Sequence, residues 1–181
     1  MIIAISGLSG CGNTTVTAAL ARHGFKKINY TFRDLAAEKG LNLKKLQELA
    51  KKNSAIDLEL DRKQVALLAK EKNAVIGSRL AIWLDSPKVT RKLGVKPPKI
   101  DLKVWLDASL ETRAARTKKA KPNESKAFTA KRDRENAARY KKTYGISVQE
   151  HDFVDLKINT EKFDAESVAA IIAFAARHCK K

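Results

Sequence analysis

The stretch Gly7-Leu8-Ser9-Gly10-Cys11-Gly12-Asn13-Thr14-Thr15 decides how this chain folds. It follows the apolar run Ile2-Ile3-Ala4-Ile5 and precedes a segment in which Val16, Ala19 and Leu20 recur at helical spacing, ending before Gly24. A short apolar run closed by glycine reads as a buried strand, and the three- and four-residue spacing reads as one face of a helix. A glycine loop between a strand and a helix is the context required by the phosphate-binding pattern of Gly, four residues, Gly, Lys and Ser or Thr. Every element of that pattern is present except the lysine, whose place Asn13 takes. Glycines let backbone N–H groups turn inward around an anion, and the helix N-terminus adds its positive dipole. Gly7, Ser9, Gly10, Cys11, Gly12, Asn13, Thr14 and Thr15 are therefore candidate contacts for a polyphosphate. Thr14 is placed to hold Mg²⁺ through its hydroxyl, and Thr15 to reach the α-phosphate oxygens. An amide in place of lysine removes a full charge, on the order of several kcal/mol for phosphoryl transfer in a partly dry site. Other cations must supply it.

Outward from the loop, strands and helices alternate. Residues 26–29 read as a short strand, and residues 32–39 as a helix stopped by Gly40. Leu43, Leu46, Leu49 and Ala50 mark a second helix, and Ile56, Leu60, Gln64, Leu67 and Leu68 a third. Residues 74–77 and 102–107 are strands, the second reading LKVWLD. Between them, residues 86–100 contain Pro87, Gly94, Pro97 and Pro98 and are expected to form a loop. Residues 110–119 and 128–144 are basic helices separated by the breaker Pro122-Asn123; residues 154–159 are a last strand and 164–178 an amphipathic helix. Alternation of this kind implies βαβ units, a parallel sheet with right-handed crossovers, and ligand binding at the carboxyl ends of the strands.

The composition sets outer limits. At 181 residues the chain fits one domain, and 44% apolar residues suffice for a packed core. No stretch approaches the ~18 apolar residues of a membrane span. Residues 1–6 lack the basic start of a secretion signal, so the expected location is the cytoplasm, without membrane association. Two cysteines at opposite ends of the chain and three histidines offer no zinc-ligand spacing. Thirty-seven basic against 20 acidic residues give a net charge of +17, which favours a polyanionic partner: nucleotide phosphates or RNA. Aromatic residues interleaved with the basic segments are too few for the base-stacking surface of an RNA binder, which leaves RNA the lesser partner.

The arginines are more informative than the net charge. Arg33 lies on the helix after the second strand, and Arg79 directly follows the strand at 74–77, near the open end of the sheet. Arg113 and Arg116 are three residues apart, and Arg132 and Arg139 seven apart, so each pair shares a helical face. Two basic helices around a hinge at Pro122-Asn123 read as a mobile lid that closes over a triphosphate, excludes water and completes a charge clamp.

With these segments in order, the chain resembles the nucleoside monophosphate kinases, and among them the archaeal-type cytidylate kinases. The resemblance runs along almost the whole chain through GLSGCGNTT, FRDLAAEKGLNLKKLQELAKKN, IDLELDRKQVALL, SRLAIWL, LKVWLDAS and KRDRENAARYKKTYGI. It implies a three-layer α-β-α P-loop NTPase fold with a parallel sheet of about five strands in a single domain. The core would comprise residues 1–30, 72–109 and 153–181, the acceptor-binding helices about 31–71, and the lid about 110–145. It implies ATP with Mg²⁺ as donor and CMP or dCMP as acceptor; a monomer is the expected state. On this likeness Arg33 and Arg79 would hold the acceptor phosphate, while Arg116, Arg132 and Arg139 would come from the lid, Arg116 toward the donor. Arg79, Arg132 and Arg139 would serve catalysis. Asp57, Asp61, Arg62 and Gln64 would lie near the base, where a carboxylate suits the cytosine N4 amino group; helix capping or pairing with lysine would equally account for Asp57 and Asp61. Two positions depart from the family pattern: Asn13 stands for lysine, and Gly77 stands in Ile76-Gly77-Ser78-Arg79 where the family usually carries glutamate. A nucleotide-binding module of the same fold that has lost catalysis, and an RNA-associated basic protein, are the competing readings.

Overall fold

The structure is a computed structural model that describes residues 1–120 and 124–179. Five parallel strands form one sheet: β1 (Ile2–Gly7), β2 (Lys26–Ile28), β3 (Ala74–Gly77), β4 (Leu102–Asp107) and β5 (Leu156–Asn159), in the order β2-β3-β1-β4-β5. The helices are α1 (Asn13–Ala21), α2 (Phe32–Glu38), α3 (Leu43–Lys52), α4 (Ala55–Leu68), α5 (Pro87–Leu93), α6 (Leu110–Ala120), α7 (Lys126–Tyr144) and α8 (Ala165–His178). All six residues of β1 are buried, because a central parallel strand is covered on both faces. Alternation of side chains divides them. Ile3 and Ile5 face Val16 and Leu20 of α1 and Val168 and Ile172 of α8, whereas Ile2 and Ala4 face Val65 and Leu68 of α4 and the short 3-10 turn Ala81–Trp83. The three-layer α-β-α fold read from the sequence is therefore the fold observed. A smaller cluster of Leu35, Ala36, Leu46 and Leu60 holds α2, α3 and α4 together beside the sheet.

The strand order places a switch point at β1. From β1 the chain first builds β2 and β3 on one side, then crosses to β4 and β5 on the other. Connections leaving β1 and β4 diverge there, which opens a crevice at the carboxyl ends of the strands. Ile5 lies level with Gly77 and Gly7 with Leu106, so the ends of β1, β3 and β4 share that rim.

Residues 86–100 correct the sequence reading. Instead of a loop throughout, they contain α5. Ser86 caps the helix by accepting from the Val89 amide, Pro87 occupies the first turn, and Gly94 ends it at φ 65°. Proline has no amide to lose in a first turn and its ring fixes a helical φ, so Pro87 starts a helix here. The Pro122-Asn123 hinge lies outside the described residues. Ser86→Ala is expected to lower stability by about 1 kcal/mol, the ordinary value of an N-cap hydroxyl, in urea denaturation; an unchanged midpoint would show that Pro87 alone sets this helix start.

Candidate active site

The loop after β1 is closed by the Cys11 amide donating to the Leu8 carbonyl at 3.1 Å and by the Val16 amide on the Gly12 carbonyl at 2.9 Å. Gly10 and Gly12 have φ of 86° and 101°, and a Cβ on Gly10 would sit 2.6 Å from the Arg113 carbonyl oxygen. Only glycine meets both demands at position 10. Gly12 is also the N-cap of α1, which has no side-chain cap. Among the described residues, the amides of Gly10, Gly12, Asn13, Thr14 and Thr15 find no protein acceptor, whereas that of Ser9 donates to Asp133 Oδ1 at 3.2 Å. Open amides at a helix start form an anion site. Asn13 turns back on the strand, its Nδ2 donating to the Gly7 carbonyl at 3.3 Å. Thr14 and Thr15 are exposed.

Two cavities meet at this helix start. One, about 520 Å³, runs over the loop toward Arg116 and Thr117. The other, about 650 Å³, lies between α2–α4 and α7 and is lined by Tyr30, Lys44, Lys51, Asp61, Gln64 and Arg139 among others. Thr14, Gly77, Ser78, Arg79 and Arg132 line both. Molecules bound in the two cavities would therefore meet at that seam.

The seam is cationic. Arg79 Nη2 donates to Ser9 Oγ at 2.6 Å, and Arg132 Nε donates to the same oxygen at 3.2 Å. Arg79 Nε is buried with no partner among the described residues. Burial lowers the pKa of Arg79, and the charges of Arg132 and Arg139 lower it further. Arg132 also pairs with Glu124 at 3.2 Å. Arg139 lies 3.5 Å from Asp57 Oδ1, donates to Asn136 Oδ1 at 3.2 Å and rests over the Tyr140 ring. Arg116 is fixed on the far side of the loop, on the Thr160 hydroxyl at 2.8 Å and carbonyl at 2.6 Å.

Polar groups of α4 and α7 form one wall of the larger cavity. Asp61 is buried and accepts from the Tyr144 hydroxyl; burial pushes its pKa up to about 7. Asp57, one turn earlier, is also raised by burial, with Arg139 opposing the rise. Gln64 donates to the Tyr30 carbonyl at 2.8 Å, and its Oε1 is buried with no partner among the described residues. Asp57 is not among the residues lining the cavity and reaches it through Arg139.

Three expected site residues are placed elsewhere. Arg33 is exposed on α2 and lines neither cavity. Arg62 Nε is taken at 2.6 Å by the Leu93 carbonyl, one of the last carbonyls of α5 that lack a helical partner. Cys11 is buried in the core beneath the loop, where burial pushes its thiol pKa up to about 11. Conversely, Lys44 and Lys51 reach the larger cavity from α3, and the buried pair Arg113–Asp133 braces the loop; the sequence reading gave none of them such a place. The lysines belong to a run of basic residues without individual signal. Asp133 carried one: it is an acid flanked by Arg132 and Arg134 in a basic helix.

Gly77 has a steric explanation. A Cβ there would lie 2.5 Å from Thr17 Cγ2, and the Thr17 hydroxyl is anchored on the Asn13 carbonyl at 2.9 Å. Any side chain at position 77, a carboxylate included, requires Thr17 to give way.

Loop, switch point and paired cavities define a P-loop nucleotide-binding protein. A family model described as an AAA domain matches residues 3–141. Cytidylate kinases from Pyrococcus horikoshii and Methanocaldococcus jannaschii are 39% and 37% identical to this chain, over 98% and 100% of it and 89% and 100% of their own lengths. The chain belongs to the cytidylate kinase family. Among solved structures, a deoxyadenosine kinase from M. mycoides with dCMP and a flexible dCDP bound has a TM-score of 0.61 at 15% identity, covering 99% of this chain and 100% of that one. Shikimate kinase from Acinetobacter baumannii in complex with shikimate gives 0.60 at 19% identity, covering 99% and 95%. At these identities the likeness is one of fold.

The contact at Gly77 predicts that Gly77→Ala destabilises the protein by about 1–3 kcal/mol, as overpacking does. Thr17→Ser removes the offending methyl and keeps the hydroxyl, so Gly77→Ala/Thr17→Ser should recover most of the loss in chemical denaturation. A double variant no more stable than Gly77→Ala would refute the steric account.

Proposed function

We infer that the protein transfers the γ-phosphoryl group of ATP to CMP or dCMP, giving ADP and the cytidine diphosphate. The observation that carries this reading is the seam at which the loop cavity and the cavity beside α4 share Thr14, Arg79 and Arg132. Donor and acceptor in adjoining cavities meet in the geometry that phosphoryl transfer needs, with no side-chain nucleophile. In this reading residues 31–71 form the acceptor side and residues 110–145 the lid, and the open amides from Gly10 to Thr15 hold the β- and γ-phosphates. Arg116 faces the donor beside the small cavity lined by Gly12, Thr15, Phe163 and Asp164, which suits the donor base. Arg79 and Arg132 stand at the reacting phosphate and offset charge in the transition state.

Mg²⁺ fits the exposed Thr14 hydroxyl, a hard oxygen ligand at the start of α1 that opens on both cavities. When bound there with nucleotide, the ion would neutralise phosphate oxygens of the donor. The chain's own part is to orient the phosphates and exclude water. The base of the acceptor lies against Asp61, Gln64 and Arg139. A carboxylate or amide oxygen accepts from the cytosine N4 amino group, whereas uracil presents an oxygen at the same place. Lys44 and Lys51 supply positive charge on the opposite wall.

An ADP-release assay with CMP, dCMP, UMP and AMP tests the reaction; turnover is expected with the cytidine nucleotides, and none with any acceptor would refute the reading. Arg132→Ala should lower kcat by about 10²-fold or more, as loss of one charge-stabilising donor does. The Asp61 pKa of about 7 gives a further expectation. The carboxyl carries a proton below that pH and is an acceptor above it, with Asp57, Arg139, Tyr140 and Tyr144 as its charged and titratable neighbours. The ratio of kcat/KM for CMP to that for UMP should therefore rise from pH 6 to pH 8, since phosphate ionisation is common to both substrates. A flat ratio would separate Asp61 from base selection.

A further inference from the structure

Ser9 is 4% exposed, and all three of its polar atoms are bonded to other elements. Its amide donates to Asp133 Oδ1 of α7 at 3.2 Å, and its carbonyl accepts from Arg113 Nη1 of α6 at 3.0 Å. Its hydroxyl oxygen accepts from both Arg79 Nη2, at the end of β3, and Arg132 Nε of α7. Arg113 and Asp133 close the ring with a 2.6 Å ion pair, both side chains buried, and Arg113 Nε is held by the Ala108 carbonyl at 3.1 Å. A hydroxyl has two acceptor lone pairs, and here two guanidinium groups occupy them. Left alone, two like charges in a half-buried crevice would move apart. A shared oxygen holds them side by side.

We propose that Ser9 is a positioning residue: its hydroxyl sets Arg79 and Arg132 together at the seam, and its backbone, gripped by the Arg113–Asp133 pair, ties those cations to α6 and α7. The arrangement supplies to a bound triphosphate the charge that Asn13 does not carry. It also makes the loop and the two basic helices one mechanical unit, because α7 cannot shift without pulling on the Ser9 amide through Asp133 and on the Ser9 hydroxyl through Arg132. The proposal rests on the reading of the loop as a triphosphate site, and not on the identity of the acceptor.

Calorimetric titration with inorganic tripolyphosphate tests it on the wild type, Ser9→Ala, Arg132→Ala and the double variant, each kept well below its measured melting temperature. If Ser9 acts through Arg132, each single substitution should weaken Kd about tenfold and the double about ten- to twentyfold, far short of the hundredfold product of independent losses. The same shortfall is expected in a cycle of Ser9→Ala with Arg79→Lys. Unchanged binding by Ser9→Ala, or losses that multiply, would overturn the proposal. Asp133→Asn is a second variant outside both cavities; a loss of about threefold or more is expected, and wild-type affinity would overturn the tie to α7. Transfer to CMP, assayed on the same wild-type protein, separates the two readings. A coupled cycle without transfer fails the acceptor reading alone, and transfer with multiplying losses fails only this one.

Discussion

Helix α1 starts without a side-chain cap, and much of the molecule is arranged around that fact. Its N-cap is a glycine at φ 101°, and the amides from Gly12 to Thr15, on residues that line a cavity, find no acceptor among the described residues. Amides without a protein acceptor at a helix start are free to donate to an anion, and several of them converge here. The helix dipole adds to that attraction. What makes the row possible is the backbone: Gly10 and Gly12 take conformations in which a side chain would be strained, and Gly10 has the Arg113 carbonyl against it. The strand order then does the rest. With β1 at the switch point, the uncapped helix opens onto a crevice whose rim is formed by the ends of β3 and β4.

Signals carried by adjacent residues were legible in the sequence. Ile2–Gly7, the glycine loop and the first helix are local patterns, and their reading gave the parallel sheet and a crevice at the carboxyl ends of its strands. Arg79 could be placed because a residue that directly follows a parallel strand has one direction to go. Helix positions were less readable. The sequence shows which residues share a face, but not which face meets the crevice, so Arg33 was expected inside and is exposed, while Lys44 and Lys51 went unremarked. Pro87 has two meanings, breaker or first-turn residue, and the choice rests on the Ser86 hydroxyl reaching the Val89 amide. The Arg113–Asp133 pair joins residues twenty apart on two helices, and nothing in either segment fixes how those helices cross.

The two departures from the family pattern have different physical standing. Gly77 is matched to a neighbour: Thr17 fills the space a larger residue would need, and its hydroxyl binds carbonyls of the first turn of α1. The pair is a packing solution, so absence of the carboxylate by itself says little about loss of function. Asn13 is different, since an amide folded onto the Gly7 carbonyl offers no charge to the loop.

Charge near the loop must then come from arginines, and its worth depends on their placement more than on the net +17. Two unit charges about 4 Å apart interact by about 4 kcal/mol at an effective dielectric near 20, and by about 1 kcal/mol in water. Lysines spread over the outer faces of the helices work in the second regime and are screened by salt. Arg79 works in the first. Burial and two neighbouring cations already depress its pKa, so its charge is held at some energetic disadvantage in the free protein. On the proposed function, a polyphosphate in the seam would remove that disadvantage while satisfying the loop amides. Helix dipole, open amides and crowded guanidiniums therefore act in the same direction, and on the proposed function the cations built into the wall would offset a neutral residue at position 13.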